Sequence, residues 1–536
     1  MKNIYSFDNK TSIDSFLLDH PLETFDAAVI GSSMAAASVA SQLIKGNKKI
    51  LVIEKGSFFD RAKESTMDID STFMPIKPST REIAYGGTSN LWMGLISEFE
   101  EFEYTDRWSD KPKNLWGINQ TELKKCSKQA WKLFGIKRST IRKNRELESQ
   151  FSLRDFTVQK KPFRSVSILN NPKIVKLLNS YAFVVGEDKK GSFVDIISMI
   201  NEEQKRFYCK KIIVCCGGLD STKLILNSIK ENTLDLGSRS KFVGKYYMNH
   251  PRFHLGILKN NKNLGKKFGL KYLTKGMNYL GISLKEEEQI KNKLNNTYFK
   301  FSPVYQWKQS PEVQFVDILI RNKKFFLKNI LDFLFRREKL IHLLYEGKFI
   351  NDDVYRSILT LKDRNFLHLI FSRNLSKYIF NEIGFTTYSK KYSVTAFLEM
   401  IPNVENCITV EHDSKKNNRI NVSYKLSDID KNTIDYLIKK LTTFASNYGL
   451  EFQPNEQIDY SNHEFFKDVA HHMGGTIIDS PSYLGTVDTN LKILGCRNIY
   501  ICSSSIFPTS GSVNPNNTIV GLGLRLGNHL KSCMAD

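Results

Sequence analysis

The chain has 536 residues, 41% hydrophobic and 12% aromatic, with a formal charge of +22. That length supports two or more domains, and the composition excludes a disordered or low-complexity chain. The charge points to nucleic acid, an anionic membrane surface or an acidic substrate, or to a lysine-rich background alone; nucleic acid is set aside, since no strand interleaves aromatic and basic residues as RNA-binding strands do.

The N-terminal MKNIYSFDNKTSIDSFLLDH lacks the apolar core of a signal peptide, and no stretch reaches the roughly 18 apolar residues of a membrane span. A cytoplasmic protein is expected. None of the eight cysteines forms a C-x-x-C pair, and no histidine pair has the H-x-x-x-H spacing beside an acid, so no metal site is expected.

Phe25–Ile30 is a short apolar run suited to a buried parallel strand, Ser33–Ile44 to a helix ended by Gly46-Asn47, and Lys49–Glu54 to the next strand. This β-α-β unit carries Gly31-Ser32-Ser33-Met34-Ala35-Ala36 where a dinucleotide turn would read G-x-G-x-x-G. Ala36 satisfies the packing demand of the third position. Ser33 is the departure, because the second glycine lets backbone approach phosphate; its hydroxyl can donate to a phosphate oxygen instead. Glu54 ends the second strand, where an acid binds a ribose hydroxyl. By itself the unit is either a nucleotide site or an ordinary packing unit.

Residues 81–96 (REIAYGGTSNLWMGLI) place Gly86-Gly87 before short polar groups, and 211–228 (KIIVCCGGLDSTKLILNS) repeat the strand-glycine-helix logic, so the nucleotide domain is discontinuous. Residues 256–455 have few glycines and alternating segments. Ile408–Val410 and Arg419–Tyr424 read as strands joined by the turn Asp413–Asn418, and Asp428–Tyr448 as a helix. Within this region Arg321–Leu344 interleaves seven Lys/Arg with Phe325, Phe326, Leu327, Ile330, Leu331, Phe333, Leu334 and Phe335, and Phe366–Phe380 repeats the texture. Such a helix either lies in a membrane interface or is a packed insertion with a solvated basic face. From Val469 the chain reads VAHHMGGTIIDSPSYLGTVDTN, then SSSIFPTSGSVNPNNTIVGLGL.

Taken in order, VIGSSMAAA with Glu54, GGTSNLWMG, CCGGLDSTKLILNS, VGKYYMNHP, EMIPNVENCITV and the C-terminal block resemble the glucose-methanol-choline (GMC) oxidoreductases, which oxidise alcohols with FAD. The likeness spans nearly the whole chain and is nearest to bacterial members encoded beside surface-polysaccharide genes. It implies an α/β fold: a doubly wound, Rossmann-like FAD-binding domain plus an α+β substrate domain with a large antiparallel sheet. The FAD-binding parts would be 20–100, 181–255 and 456–536, with a connecting segment at 101–180 and the substrate domain at 256–455, its basic helical insertion near 320–385.

The resemblance also implies roles. His471 is the catalytic acid/base, with His472 the ambiguous neighbour, and Asn514 hydrogen-bonds the substrate oxygen. His250 is structural. Gly31, Ser32, Ser33 and Met34 cradle the pyrophosphate, while Glu54 and Lys55 meet the adenosine end. Gly86, Gly87, Thr88, Asn90, Leu91 and Trp92 pass near the flavin ring. Val184, Gly217, Ser503, Ser504, Asn514, Pro515 and Thr518 complete the cofactor site. Ser89-Asn90-Leu91-Trp92 holds no His where some relatives attach flavin covalently, so FAD is expected noncovalent. Ser503 stands where relatives often have Asp, which removes a charge near the cofactor. The expected substrate is a small-molecule alcohol, a sugar or polyol, lipid-linked where the basic insertion meets the inner face of a membrane; the electron acceptor is unassigned. Two rival readings are a flavin-binding protein that has lost catalysis and a nicotinamide-dependent dehydrogenase.

Overall fold

Two large sheets organise the chain, and each gathers strands from distant parts of the sequence. The computed structural model describes residues 4–6, 16, 20, 25–58, 69–76, 80–109, 113–136, 145–147, 150–159, 161–199, 203–259, 279–363, 371–382, 389–411, 419–460 and 464–534.

The first sheet is parallel. From edge to edge its strands are Ile4–Ser6, Ile174–Leu178, Ile50–Ile53, Ala27–Ile30, Lys211–Val214 and Ile499–Ile501. Ala27–Ile30 and Ile50–Ile53 are buried at every position, as the centre of a sheet covered on both faces requires. The helix Met34–Lys45 packs against the C-terminal helix Asn516–Cys533. A Cβ at Gly523 would stand 2.5 Å from Ser38 Oγ, and one at Gly527 would stand 2.7 Å from the Val39 carbonyl oxygen. Two glycines one turn apart therefore let the helices touch almost backbone to backbone.

The second sheet is antiparallel. Its path runs Glu451–Pro454, Arg252–Lys259, Lys391–Phe397, Tyr298–Pro303, Tyr279–Leu284, Phe151–Val158 and Leu95–Ile96, with Arg145–Leu147 paired to Phe151–Val158 off that path. Every second residue of Lys391–Phe397 from Tyr392 to Ala396 is buried, the period of a sheet with one covered face. The mixed architecture is the expected fold class.

Several segments fall elsewhere than expected. The stretch 101–180 supplies a strand to each large sheet, Phe151–Val158 and Ile174–Leu178. Arg252–Lys259 begins the antiparallel sheet inside the stretch assigned to FAD binding, and Leu95–Ile96 ends it. Cys407–Glu411 and Arg419–Ser423 do pair, but with Ile69–Ser71 they form a separate three-stranded sheet. The turn expected at 413–418 lies outside the described residues. The amphipathic helix is Asp428–Asn447, started by a capping box between Ser427 and Asp430.

The basic insertion is a set of short helices: Pro311–Arg321, Lys323–Lys328, Ile330–Phe335, Arg337–Glu346, Asp352–Leu359 and Arg373–Glu382. One helix over 321–344 was expected. It is interrupted at Asn322 and Asn329, whose amide groups donate to the carbonyls of Ile318 and Phe325 at 2.8 Å and so compete with helix continuation. The insertion has its own core of Phe315, Leu319, Leu340, Ile341, Leu344, Ile358 and Leu361. Part of the second basic stretch, 366–370, lies outside the described residues. Among the described residues no helix is long and apolar enough to cross a membrane.

Candidate functional site

Where the central parallel strands end, the chain turns through Gly31 and Gly217, and both glycines line one elongated cavity of about 870 Å³. Its volume lies near the upper end of the ~300–1,000 Å³ usual for ligand sites. Crevices at the carboxyl ends of parallel strands are where such sheets bind ligands.

At one end of the cavity Gly31 has φ +94° and Gly217 φ +78°. A Cβ at Gly31 would meet the Cys215 carbonyl oxygen at 2.7 Å, whereas nothing lies within 4 Å of one at Gly217. The first glycine lets neighbouring strand ends approach; the second leaves open space in the cavity wall. Ser33 caps the helix Met34–Lys45 without a side-chain capping bond, and its Cβ would lie 3.0 Å from a Cβ at Gly87. The turn thus packs directly on the 86–92 segment.

Glu54 is buried. Its carboxylate accepts from Ser32 Oγ at 2.5 Å and from the Gly56 amide at 3.0 Å, and Ser32 Oγ accepts from the Gly86 amide at 2.8 Å. Burial pushes Glu54 up to about 7 despite those donors. Ser165 Oγ donates to the Ser32 carbonyl at 2.7 Å, tying the segments further. At the same end Arg81 grips Asp220 through two nitrogens, at 3.1 and 2.7 Å.

Close to Gly218, where a Cβ would stand 2.2 Å from the His472 carbonyl oxygen, two distant segments pair through their backbones. Met248 and Met473 exchange amide-carbonyl bonds of 2.9 Å in both directions. Gly474 makes this approach possible, since its Cβ would stand 2.0 Å from the Tyr246 carbonyl oxygen. The pairing brings the N-H-P motif against H-H-M-G-G. Ala470 takes the left-handed φ of 65°, and Asp468 Oδ1 accepts from its amide at 2.8 Å; such a residue costs on the order of 1 kcal/mol and persists only where neighbours hold it.

The result is a chain of contacts with one consistent protonation pattern. His250 Nε2 lies 2.7 Å from the Gly511 carbonyl oxygen. A carbonyl only accepts, so this nitrogen carries the proton. In a neutral ring His250 Nδ1 is then an acceptor, and His471 Nδ1, 2.9 Å away, donates to it. His471 Nε2 keeps its lone pair, 3.0 Å from Asn514 Nδ2. Burial holds both rings neutral. It pushes His250 down to about 4, and together with the neighbouring imidazoles it drives His471 well below the usual histidine value. His472 is engaged differently: its Nδ1 meets the Tyr247 hydroxyl at 2.8 Å, and its Nε2 lies 3.8 Å from Asp468.

Of the residues singled out from sequence, Gly31, Ser32, Ser33, Met34, Glu54, Lys55, Gly87, Thr88, Leu91, Trp92, Gly217, His471, Ser503, Ser504, Asn514 and Pro515 line this cavity. Four do not. Gly86 supports it from behind through Ser32. Asn90 Nδ2 donates to the Tyr85 carbonyl at 3.1 Å. Val184 packs with Phe183 and Ile197, while Ser180, Tyr181 and Ala182 of its strand face the cavity. Thr518 is buried in the last helix, where Asn516 and Ile519 are the lining residues. His250, read as structural, touches His471. Sequence reasoning also missed Arg81, Asp220, Arg252, Tyr298, Lys300 and Phe397. Arg81 and Asp220 lie inside the glycine-bearing segments 81–96 and 211–228, and Arg252 stands beside the N-H-P motif; Tyr298, Lys300 and Phe397 had no local signal.

The cavity suits FAD. Two helix N-termini and open backbone at Gly217 offer amides of the kind that bind a pyrophosphate, and the Glu54 carboxyl lines the same cavity. Near His471, Asn514 Oδ1 and His472 Nε2 are buried polar atoms without a hydrogen-bond partner among the described residues, as a site built to meet a polar ring would leave them.

Residues 402–523 match the family model described as GMC oxidoreductase. Three solved structures share the fold. A point variant of a formate oxidase of Aspergillus oryzae RIB40, solved for the effect of the mutation on FAD modification, has 12% identity and a TM-score of 0.52 over 96% of this chain and 99% of its own. Pyridoxine 4-oxidase from Mesorbium loti has 9% identity and a TM-score of 0.53, covering 94% and 99%. A fungal aryl-alcohol oxidase has 11% identity and a TM-score of 0.50, covering 96% and 100%. No curated protein matches the chain in sequence. The matched region is that of an FAD-dependent oxidoreductase, the class to which the cavity is suited.

Proposed function

We propose that the protein oxidises an alcohol group on a sugar or polyol, with His471 as acid/base and Asn514 as its partner. The observation that carries this reading is the relay from the Gly511 carbonyl through His250 to His471, which leaves a neutral imidazole nitrogen in the cavity beside Asn514. Bound FAD would accept the carbinol hydride. The substrate hydroxyl displaces the Asn514 N–H from the His471 Nε2 lone pair and gives its proton to that nitrogen, while Asn514 Nδ2 donates to the substrate oxygen instead. The cation formed on His471 is stabilised by His250 Nδ1, which accepts from the opposite side of the ring. Burial that weakens His471 as a base also excludes water from the transfer. His471→Ala should leave the protein yellow while slowing substrate-driven bleaching of the flavin by roughly 10²–10⁴. Full bleaching rates in this variant would refute the assignment.

The basic insertion supports an anionic membrane surface as partner. Leu327, Leu331 and Phe335 are 67%, 60% and 78% exposed. Leu327 lies near the end of one short helix, and Leu331 and Phe335 lie one turn apart on the next, with Ile330 and Leu334 also exposed there and exposed Lys323, Lys328 and Arg336 in the same two segments. The insertion's own core is already filled, so this apolar face is not an unfinished interior. Apolar residues rimmed by lysine and arginine suit the headgroup region of an anionic bilayer. Cosedimentation with phosphatidylglycerol vesicles at low salt should be strong, and weak with phosphatidylcholine alone. Leu331→Asp with Phe335→Asp should abolish it; binding that survives the double change would remove the membrane from the proposal.

A further inference from the structure

The carbonyl that decides which His250 nitrogen carries the proton belongs to the peptide joining Gly511 to Ser512, and the other end of that peptide meets a buried carboxylate. Ser512 N donates to Glu103 Oε1 at 2.7 Å, and the Gly511 oxygen accepts from His250 Nε2 at 2.7 Å. The peptide is trans, so its N–H and C=O point in opposite directions. One planar unit therefore links Glu103 to His250, and through that ring to His471.

Glu103 is fully buried and lies outside the cavity lining. It sits in the short turn Glu101–Tyr104, and its carboxylate collects donors from distant parts of the chain. Oε1 also accepts from Asn296 Nδ2 at 3.0 Å, while Oε2 accepts from the Glu100 amide at 2.6 Å and from Arg154 Nη2 at 2.5 Å. Burial alone would raise this carboxyl, but the Arg154 charge holds it below the usual carboxylate value, so it stays an ion that only accepts. A carboxylate at the N–H end also polarises the peptide and strengthens its carbonyl as an acceptor. The residues beside the peptide are tied to the same pair: Thr509 Oγ1 donates to the Glu103 carbonyl at 2.8 Å, and Arg154 Nη1 donates to Ser512 Oγ.

The anion matters because this peptide has an alternative. Gly511 has φ +57°, and glycine tolerates the backbone angles on either side of a half-turn of the peptide plane. The half-turn would aim the Ser512 N–H at His250 Nε2. His250 would then carry its proton on Nδ1 and donate it to His471 Nδ1, and His471 would hold its own proton on Nε2, where the lone pair is needed. A carboxylate opposes that half-turn, since it would then face the Gly511 oxygen instead of an N–H.

We propose that Glu103 is a positioning residue: it holds the Gly511–Ser512 peptide in the one orientation that leaves the lone pair on His471 Nε2. This rests on the reading of His471 as the base.

The test is a nitrogen-15 spectrum of the FAD-loaded, histidine-labelled protein, which separates protonated from bare ring nitrogens and needs no substrate; His471→Ala and His250→Ala assign the signals. Wild type should show a bare His471 Nε2. Glu103→Gln, whose amide can either accept from Ser512 N or donate to a turned carbonyl, should show that nitrogen protonated in a large part of the molecules, with FAD retained. Flavin bleaching by glucose or sorbitol should slow by about 10-fold or more, with little change in the half-saturating concentration. Should the single change strand Arg154 and leave too little folded protein, Glu103→Gln with Arg154→Met removes both charges and puts the same question. A His471 Nε2 that is protonated already in wild type, or still bare in the variants whatever their rate, would overturn the proposal. A nitrogen that becomes protonated with no loss of bleaching rate would keep Glu103 in its positioning role and sink His471 as the base.

Discussion

Replacing Glu54 by Gln should have opposite effects on the flavin-free and flavin-loaded protein. In the fold Glu54 titrates near 7, against an ordinary value of 4.5, because it is buried. A raised carboxyl value means that the fold holds the proton more tightly than the unfolded chain does. No cost arises below pH 4.5; it grows as pH rises through 7 and reaches about 3 kcal/mol at pH 8. Gln removes the charge and can keep the contacts. Its oxygen can accept from the Gly56 amide, and its nitrogen can donate to Ser32 Oγ, whose proton turns to the Ala84 carbonyl 3.5 Å away. Urea denaturation of the flavin-free protein should therefore show Glu54→Gln more stable than wild type by up to about 3 kcal/mol at pH 8 and nearly equal at pH 4.5. FAD binding, followed by recovery of flavin fluorescence, should weaken by about 10- to 100-fold, the value of a hydrogen bond to a charged group. A variant that binds FAD as wild type does would refute the ribose role, and a stability difference that is the same at both pH values would refute the account of burial.

His250→Ala should slow flavin reduction by about 10-fold with FAD affinity unchanged, and His250→Asn, which restores an acceptor near the Nδ1 position, should recover part of the rate. Buried neutral histidines make stability fall toward acid: the contribution of His250 is complete above pH 6.5 and about 3 kcal/mol is lost as pH falls through 4, so His250→Asn should flatten the acid limb of a denaturation-versus-pH curve. Ser33→Gly should change FAD affinity only modestly, and a large gain with colourless wild-type protein would show that the turn has degraded. Gly523→Val should destabilise the protein by about 2 kcal/mol or more, measured by urea denaturation, because the Ser38 side chain and the Ala35 carbonyl leave no room for a larger residue.

Local patterns were legible wherever neighbouring residues set the structure. Apolar runs ending in Gly31 and Gly217 announced strand-turn-helix units because a left-handed turn selects glycine, and Glu54 followed from its place at the end of a strand. The basic insertion was legible as a texture. Its breaks were not, because the side-chain bonds of Asn322 and Asn329 to earlier carbonyls compete with a helix that propensity alone would continue.

The order of strands lay beyond local pattern. Nothing around Ile174–Leu178 says that it joins the parallel sheet beside Ile50–Ile53, since an apolar strand pairs equally well with many edges until the rest of the core is assembled. The site divides the same way. His471 and Asn514 could be named from motifs, but the nitrogen that holds the proton is decided by a carbonyl at Gly511 and a ring at His250, 221 residues away from His471. Arg252 and Lys300 are ordinary basic residues of a chain with charge +22 until the sheet sets their strands against one cavity. Sequence determined which chemical groups and turns were available, because those depend on residue type and near neighbours. Tertiary structure alone decided which groups meet, and so their protonation, because Coulomb forces and desolvation act through space.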